Sequence, residues 1–213
     1  MRKTRFILLS LVVSGCGVPI TSTPLPTLTP TVSVTEAPEI PTYIIDNSQS
    51  IINYIATGPL NITIPGTFSM KGSTVRLVPE GEGYRIKIDA LIDGNSVTAV
   101  NGLVRDALRA SLEVDKYPFG HFLADSKEIV RPGTSPTPFT ASGTLELHGR
   151  TRTVEIPIMM AINDGKLTAN LETRLDLLDY EVNVPTAIMN SKVTFKAAIV
   201  ALQEPVAHPS PTP

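Results

Sequence analysis

The sequence predicts an all-β protein of about eight antiparallel strands with one short helical insertion, and three observations lead to that prediction. Apolar and polar residues alternate along most of the chain from Tyr43 to Gln203, which is the pattern of half-buried strands. Turns that contain glycine separate these runs at the spacing of hairpins. A helical repeat of apolar residues occurs in a single stretch. About eight antiparallel strands within 161 residues predict a closed barrel or a sandwich.

The composition of the 213-residue chain excludes several classes of protein. Hydrophobic residues make up 42% and charged residues 18%, which is too apolar for a disordered chain and too polar for a polytopic membrane protein. Lys and Arg number 18 against 20 Asp and Glu, so the basic surface that a nucleic-acid-binding protein needs is missing. The single cysteine excludes a disulfide within the chain.

Residues 1–15 are predicted to form a lipoprotein signal peptide. Three basic residues precede the apolar run Phe6–Val13, which as a helix spans about 12 Å, too short to cross about 30 Å of hydrocarbon. The run is followed by Val13-Ser14-Gly15-Cys16, which resembles a bacterial lipobox and predicts an acylated Cys16. An ordinary signal peptide with an incidental thiol is the alternative. Cleavage would leave a net charge of −5, so the acyl chains would have to hold the protein on an anionic membrane.

Residues 16–42 are predicted to form a tether that begins at the acylated Cys16. Six prolines alternate irregularly with seven threonines in residues 17–42, a composition that favours extended polyproline II. At about 3.1 Å per residue, these 26 residues would reach at most about 80 Å. Residues 204–213 are also rich in proline and are expected to be disordered.

The alternating runs and the turns between them define the predicted strands. The clearest runs are Tyr84–Ala90, Thr153–Ile158, Lys166–Asp176 and Lys192–Ala201. Tight hairpins are predicted at 147–150 and 162–165, where glycine supplies the positive φ, and a looser turn at 79–83. Pro157 predicts an edge or bulged position within its strand, and the three prolines between Arg131 and Pro138 predict a surface loop.

The single helical stretch lies between Val97 and Asp115. Its apolar residues follow a partial 3.6-residue repeat, with Leu103, Leu108 and Leu112 among them. The sequence therefore predicts a short helix of about two turns, inserted between strands.

Several motifs in order resemble the YceI-like family. The longest runs from Asn101-Gly102-Leu103-Val104-Arg105-Asp106-Ala107-Leu108-Arg109 to Val114-Asp115-Lys116-Tyr117-Pro118 and Phe122. Tyr43-Ile44-Ile45-Asp46, Gly66-Thr67-Phe68 and Gly143–Thr151 also resemble the family at its opening, its second strand and a hairpin. The resemblance covers residues 43–203. It implies an extended eight-stranded antiparallel barrel, similar to that of the lipocalins, which holds a long isoprenoid or another amphiphile.

The resemblance also indicates which residues would form the site. Periodicity alone does not decide whether the inward side chains fill a core or surround a ligand, but the family favours a cavity. The residues expected in the barrel interior are Phe68, Tyr84, Ile86, Ile88, Leu103, Leu108, Phe122, Leu145, Leu147, Val154, Ile156, Ile158, Leu171 and Phe195. Arg105 and Asp106 are expected at the barrel mouth, where the pair either fastens the helix or presents Arg105 to the polar head of a ligand.

No catalytic residue, metal site or cofactor is expected. The nucleophile motif Gly-x-Ser-x-Gly is missing, and the three histidines lack the spacing of metal ligands. The sequence therefore predicts an exported, membrane-anchored cell-envelope lipoprotein that sequesters or carries a long-chain apolar molecule. Its expected partners are that hydrophobic ligand and, through Cys16, a membrane; a homodimer stays open. The alternatives are an envelope structural or stress protein with a filled core and, less favoured, an enzyme that acts on a lipid or a small aromatic.

Overall fold

The computed structural model describes residues 40–205 of the chain. The predicted signal peptide 1–15, the acylated Cys16, the tether as far as Glu39 and the tail from residue 206 lie outside the described residues. Within 40–205, no helix is both long and apolar enough to span a membrane.

Ten strand segments form one antiparallel sheet. Their alternating residues are buried and exposed in turn, as the sequence pattern predicts; in Ile51–Thr57, for example, Ile52, Tyr54 and Ala56 are buried. The segments are β1 Thr42–Ile45, β2 Ile51–Thr57, β3 Thr63–Met70, β4 Thr74–Glu80, β5 Gly83–Asp93, β6 Phe119–Ser126, β7 Thr137–Leu147, β8 Arg150–Asn163, β9 Lys166–Asp176 and β10 Lys192–Gln203.

The ten segments act as eight barrel strands. Strand β10 pairs with β2 over residues 194–198 and with β1 over residues 201–203, so β1 and β2 are two halves of one interrupted strand. In the same way β5 pairs with β4 along most of its length and with β3 at its end. Pairing of β5 with β6 and of β1 and β2 with β10 closes the sheet. The predicted eight-stranded antiparallel barrel is thereby confirmed.

The two ends of the barrel differ. At one end, here called the closed end, lie the start of β1, the β4–β5 turn and the β8–β9 turn. At the other, called the mouth end, lie the β2–β3 turn, the β7–β8 turn and the segment 177–191 that joins β9 to β10. Helix α1, Gly102–Ser111, follows β5 at the mouth end.

The predicted tight hairpins are confirmed. His148 and Gly149 have φ of 53° and 70°, and Asp164 and Gly165 have φ of 49° and 73°, as a two-residue turn with the right-handed strand twist requires. The prediction of a looser turn at 79–83 is wrong, because only two residues, Gly81 and Glu82, join β4 and β5.

Pro157 lies at an edge within the barrel wall, as its sequence context predicts. It is opposite Thr140 of β7, but the pairing of β8 with β9 begins only at the next residue, Ile158. A residue without an N–H is tolerated there because β9 does not pair with β8 at this position. The loop expected as far as Pro138 is shorter, since β7 begins at Thr137.

Helix α1 has ten residues, nearly three turns rather than the two expected. Its first turn is capped by Asn101, whose side-chain oxygen accepts a 2.9 Å hydrogen bond from the Val104 N–H. The cap extends the helix at its start because it satisfies a donor that has no partner within the helix. At the other end, Glu113 adopts φ of 47° and turns the chain towards β6.

Candidate ligand-binding cavity

The interior of the barrel contains a cavity of about 190 Å³. Along β9 its lining runs from Leu167, near the closed end, to Leu175, near the mouth end, a distance of about 26 Å at 3.3 Å per residue. Its volume exceeds that of the apolar cavity of about 150 Å³ that admits benzene in another protein. The inward side chains therefore leave a continuous space open.

The cavity wall is almost wholly apolar. Of the described residues that line it, none carries a charge, and only Tyr54, Ser111, Tyr117 and Thr173 carry a hydroxyl group. The Tyr54 hydroxyl is occupied, since it donates a 2.7 Å hydrogen bond to the backbone carbonyl of Thr98 in the wall. Tyr117 packs edge-on against His148, with 4.9 Å between the ring centroids. A ligand inside this space would meet hydrocarbon surface along most of its length.

The structure brings together eleven of the fourteen side chains expected inside the barrel. The residues that line the cavity are Phe68, Ile86, Ile88, Leu108, Phe122, Leu145, Leu147, Ile156, Ile158, Leu171 and Phe195. They come from seven strands and from α1, because every second residue of an antiparallel barrel points inward. That they contact a ligand stays a prediction.

The other three expected residues do not line the cavity. Tyr84 and Val154 are partly buried and pack against the core. Both lie on the inward side of their strands, β5 and β8, without reaching the cavity. Leu103 is 79% exposed, because it sits in the first turn of α1 on the face opposite Leu108. A partial helical repeat does not reveal which of its leucines faces the barrel.

The Arg105–Asp106 pair lies at the mouth end but does not fasten the helix. Both residues belong to α1, and Arg105 Nε donates a 2.9 Å hydrogen bond to the Asp106 carboxylate. Both side chains are about half exposed or more. The pair therefore stabilises only its own turn of helix, and Arg105 faces solvent.

Arg109 fastens the helix instead, and the sequence analysis missed it. Its guanidinium donates hydrogen bonds to the backbone oxygen of Asn95 at 3.0 Å and to the side-chain oxygen of Asn95 at 2.9 Å. Asn95 lies in the 3-10 turn Gly94–Ser96 that ends β5. These two bonds hold α1 against the barrel rim, with Leu108 and Leu112 facing the cavity. In the sequence, Arg109 lies one helical turn after Arg105, and this spacing is the signal that could suggest its role.

A second missed component of the wall is the segment 177–191. Strands β8 and β9 pair only from Ile158 and Leu171 towards the closed end, so the wall is open between them nearer the mouth. Five apolar residues of the segment line the cavity: Leu177, Val182, Val184, Pro185 and Met189. Contacts with the β7–β8 turn hold the segment, since His148 Nδ1 lies 3.2 Å from the Tyr180 carbonyl and Arg150 lies 2.5 Å from Glu181. Only Tyr180–Val184 alternate within the segment, a run too short to predict its place in the wall.

Burial shapes the electrostatics of the site. It raises the pKa of Tyr54 to about 12, and it also raises the pKa of Tyr180 above its ordinary value, because the phenolate would have to lie in an apolar environment. Carboxylates lie outside the cavity; Asp89, for example, faces His121 at 2.8 Å on the outer surface. Within residues 40–205, no three His, Cys, Asp or Glu side chains lie together as a metal site requires.

Several solved structures share the fold. BcnA of Burkholderia cenocepacia is 18% identical, with a TM-score of 0.60, over 73% of this chain and 98% of its own. A polyisoprenoid binding domain from Saccharophagus degradans, implicated in plant cell wall breakdown, is 13% identical, with a TM-score of 0.62, over 76% of this chain and 98% of its own. A YCEI protein of Campylobacter jejuni is 16% identical, with a TM-score of 0.53, over 66% of this chain and 85% of its own.

The family assignment rests on the sequence of the barrel. No curated protein matches the chain. The family model of the YceI-like domain matches residues 43–201. These residues span nearly the whole barrel, from β1 to two residues before the end of β10. With its eight-stranded barrel, its short helix at the mouth and its apolar interior, the chain belongs to the YceI-like domain family.

Proposed function

We propose that this protein binds a long-chain apolar molecule, such as an isoprenoid-like lipid, inside its barrel and sequesters or carries it without chemical conversion. The observation that carries the proposal is the elongated cavity, whose lining among residues 40–205 contains no charged side chain. The structural similarity to a polyisoprenoid binding domain supports the same class of ligand.

Hydrophobic burial supplies enough free energy for such binding. Transfer of each CH₂ group from water contributes about 0.8 kcal/mol, so a ligand of about 20 carbons contributes roughly 16 kcal/mol before the cost of ordering it. The cavity offers few polar partners, so shape rather than hydrogen bonding would select the ligand. An elongated chain fits a space about 26 Å long better than a compact molecule does.

A filled core predicts inward side chains that meet across the barrel axis. The cavity of about 190 Å³ argues against it. An enzyme would need polar groups that converge inside the pocket, and the hydroxyl groups along the wall do not form such a cluster. Both observations favour binding over the alternatives.

We further propose that the protein is an exported cell-envelope lipoprotein held on a membrane by an acylated Cys16. The basic start of the chain, the short apolar run and the only cysteine of the sequence support this proposal. A homodimer stays an open prediction. The tether would place the barrel within about 80 Å of the bilayer, where apolar ligands are stored.

Native mass spectrometry of the protein purified from membranes tests the bound ligand. The spectrum is expected to show added mass that organic solvent removes and that returns when the emptied protein is incubated with the extract. A protein that shows no removable mass, before or after incubation, would argue against lipid binding.

The same sample tests the anchor separately. An acylated protein is expected to begin at Cys16 and to keep a covalent mass increment after the extraction. An N terminus elsewhere, or an unmodified Cys16, would contradict the lipoprotein proposal and leave ligand binding untouched.

A further inference from the structure

The mouth end of the barrel carries unusually exposed apolar side chains. Among the described residues, five large hydrophobic side chains are more than half exposed, and all five lie at the mouth end: Leu60 at 94%, Leu103 at 79%, Ile62 and Leu178 at 59%, and Val100 at 57%. Single exposed apolar residues are ordinary on protein surfaces. Their confinement to one end of the barrel is not.

Four of the five lie in two segments next to β3. Leu60 and Ile62 belong to the β2–β3 turn, whereas Val100 and Leu103 belong to the chain that enters α1. That chain runs beside β3, since the Thr98 N–H donates a 3.0 Å hydrogen bond to the Thr67 carbonyl. We call Leu60, Ile62, Val100 and Leu103 the rim patch. Leu178 is flanked by Asp176 and Asp179 and lies outside it.

The two segments that carry the rim patch contain no charge up to Val104, after which α1 carries the exposed Arg105–Asp106 pair. Residues 51–70 and residues 94–104 include no Asp, Glu, Lys, Arg or His, in a protein in which 18% of residues are charged. Charged side chains are costly to bring into hydrocarbon, so two neighbouring uncharged loops suit contact with lipid. A protein partner would instead favour polar groups at the rim of the contact.

The backbone of the turn holds Leu60 in an unfavourable conformation. Leu60 and Asn61 both have positive φ, 59° and 60°, a left-handed region that is unfavourable for a leucine. The side chain recovers nothing by packing, because it is 94% exposed. Such strain is usually retained where it serves a function.

From these observations we propose that the rim patch inserts into the surface of a lipid bilayer, so that the mouth of the barrel opens directly onto the membrane. The inference rests on the proposed function, because it supplies a path along which a lipid enters the cavity without crossing water. Leu108 and Leu112 of the same helix line the cavity on the face opposite Leu103, so α1 carries apolar residues towards both the cavity and the solvent.

The predicted tether is long enough for this orientation. The described chain enters the barrel at the closed end, where β1 begins. The longest barrel strand, made of β3 and β4, runs over 18 residues from Thr63 to Glu80, so the barrel is at most about 59 Å long at 3.3 Å per residue. A tether that reaches about 80 Å exceeds that length, and it would let the mouth end turn towards the membrane that holds Cys16.

Site-specific tryptophan fluorescence tests the proposal, because the natural chain has no tryptophan. The full chain is reconstituted on phosphatidylcholine vesicles with and without brominated acyl chains, as the variants Leu60→Trp and Leu103→Trp. The matched control is Leu202→Trp, an exposed position at the closed end. Circular dichroism checks that all three variants fold as the natural protein does.

The two rim variants are expected to shift their emission to shorter wavelength and to lose at least about half of it to brominated lipid, whereas Leu202→Trp changes little. Equal emission from all three positions, with or without bromine, would overturn the proposal. A blue shift that depends on protein concentration in the absence of vesicles would overturn it in favour of a second copy of the chain. The assay needs no cargo, so its failure is distinguishable from a failure to find a removable ligand by mass spectrometry.

Discussion

The hydroxyl of Tyr54 donates a 2.7 Å hydrogen bond to the backbone carbonyl of Thr98. Tyr54 lies on β2 with its ring in the cavity wall, and its hydroxyl passes over Gly66, the residue opposite it on β3. The bond ties the barrel to the chain that leads into α1. The Tyr54 hydroxyl thereby points away from the cavity. The bond also helps to position α1 at the mouth end.

Replacement of Gly66 by alanine is expected to destabilise the protein by about 2–3 kcal/mol. A Cβ at this position would lie 2.2 Å from both the Tyr54 hydroxyl and the Thr98 carbonyl oxygen, so the ring and the segment would have to separate. Gly133→Ala is the control, because no atom lies within 4 Å of its added Cβ. Urea denaturation measures both, and equal stability of the two variants would contradict the tight packing of Tyr54 over Gly66.

Replacement of Tyr54 by phenylalanine is expected to lower the free energy of unfolding by about 1 kcal/mol, the usual contribution of one hydrogen bond. Tyr84→Phe serves as the control, since within residues 40–205 the Tyr84 hydroxyl makes no hydrogen bond and the ring lies beyond the cavity. Chemical denaturation compares the two. A loss of the same size in both variants would show that the Thr98 contact contributes nothing specific.

Stability is expected to fall between about pH 10 and pH 12. Burial raises the pKa of Tyr54 to about 12 in the folded protein, whereas the unfolded phenol keeps a pKa of 10.0. The unfolded chain therefore releases its proton first, and the stabilisation present below pH 10 is lost as the pH rises to 12. Thermal denaturation of Tyr54→Phe should show a shallower decline over this range. The buried Tyr43 and Tyr180 also have raised pKa values, so part of the decline should remain.

Replacement of Arg109 by alanine is expected to loosen α1 without unfolding the barrel. The variant loses both hydrogen bonds to Asn95, so the amides of α1 should exchange hydrogen at least about tenfold faster, which corresponds to about 1.4 kcal/mol. Arg105→Ala is the matched control, because Arg105 pairs only with its neighbour Asp106. Faster exchange in Arg105→Ala, with unchanged exchange in Arg109→Ala, would contradict the claim that Arg109 rather than Arg105 fastens α1.

The sequence predicts those features of the fold and the site that local patterns of residues determine. Alternation is local, so it identifies the inward residues of β5 and β8 and with them most of the cavity wall. It does not show which inward residues reach the cavity, so it predicts Tyr84 and Val154 in the lining although they pack against the core. The amphipathic repeat of α1 shows that a helix forms, but its orientation depends on Arg109 and Asn95, fourteen residues apart.

The segment 177–191 illustrates the other limit. Leu177 and Val182 complete the wall because β8 and β9 separate near the mouth, and that separation is a property of the closed sheet. Within the segment only Tyr180–Val184 alternate, and so short a run does not indicate a part of the wall. Tertiary contacts such as that between His148 and the Tyr180 carbonyl decide its position.

The most direct measurement is the binding of a fluorescent isoprenoid alcohol, all-trans-retinol, to two variants of neighbouring alanines. Ala197 lines the cavity, whereas Ala198 is the next residue of β10 and faces outward. The natural protein and Ala198→Phe are expected to bind about one retinol per chain with similar affinity. Ala197→Phe, which fills the cavity, should bind at least about tenfold more weakly, a difference of about 1.4 kcal/mol, while circular dichroism shows a folded barrel. Absence of saturable binding to the natural protein, or equal binding by a folded Ala197→Phe variant, would contradict a ligand inside the barrel.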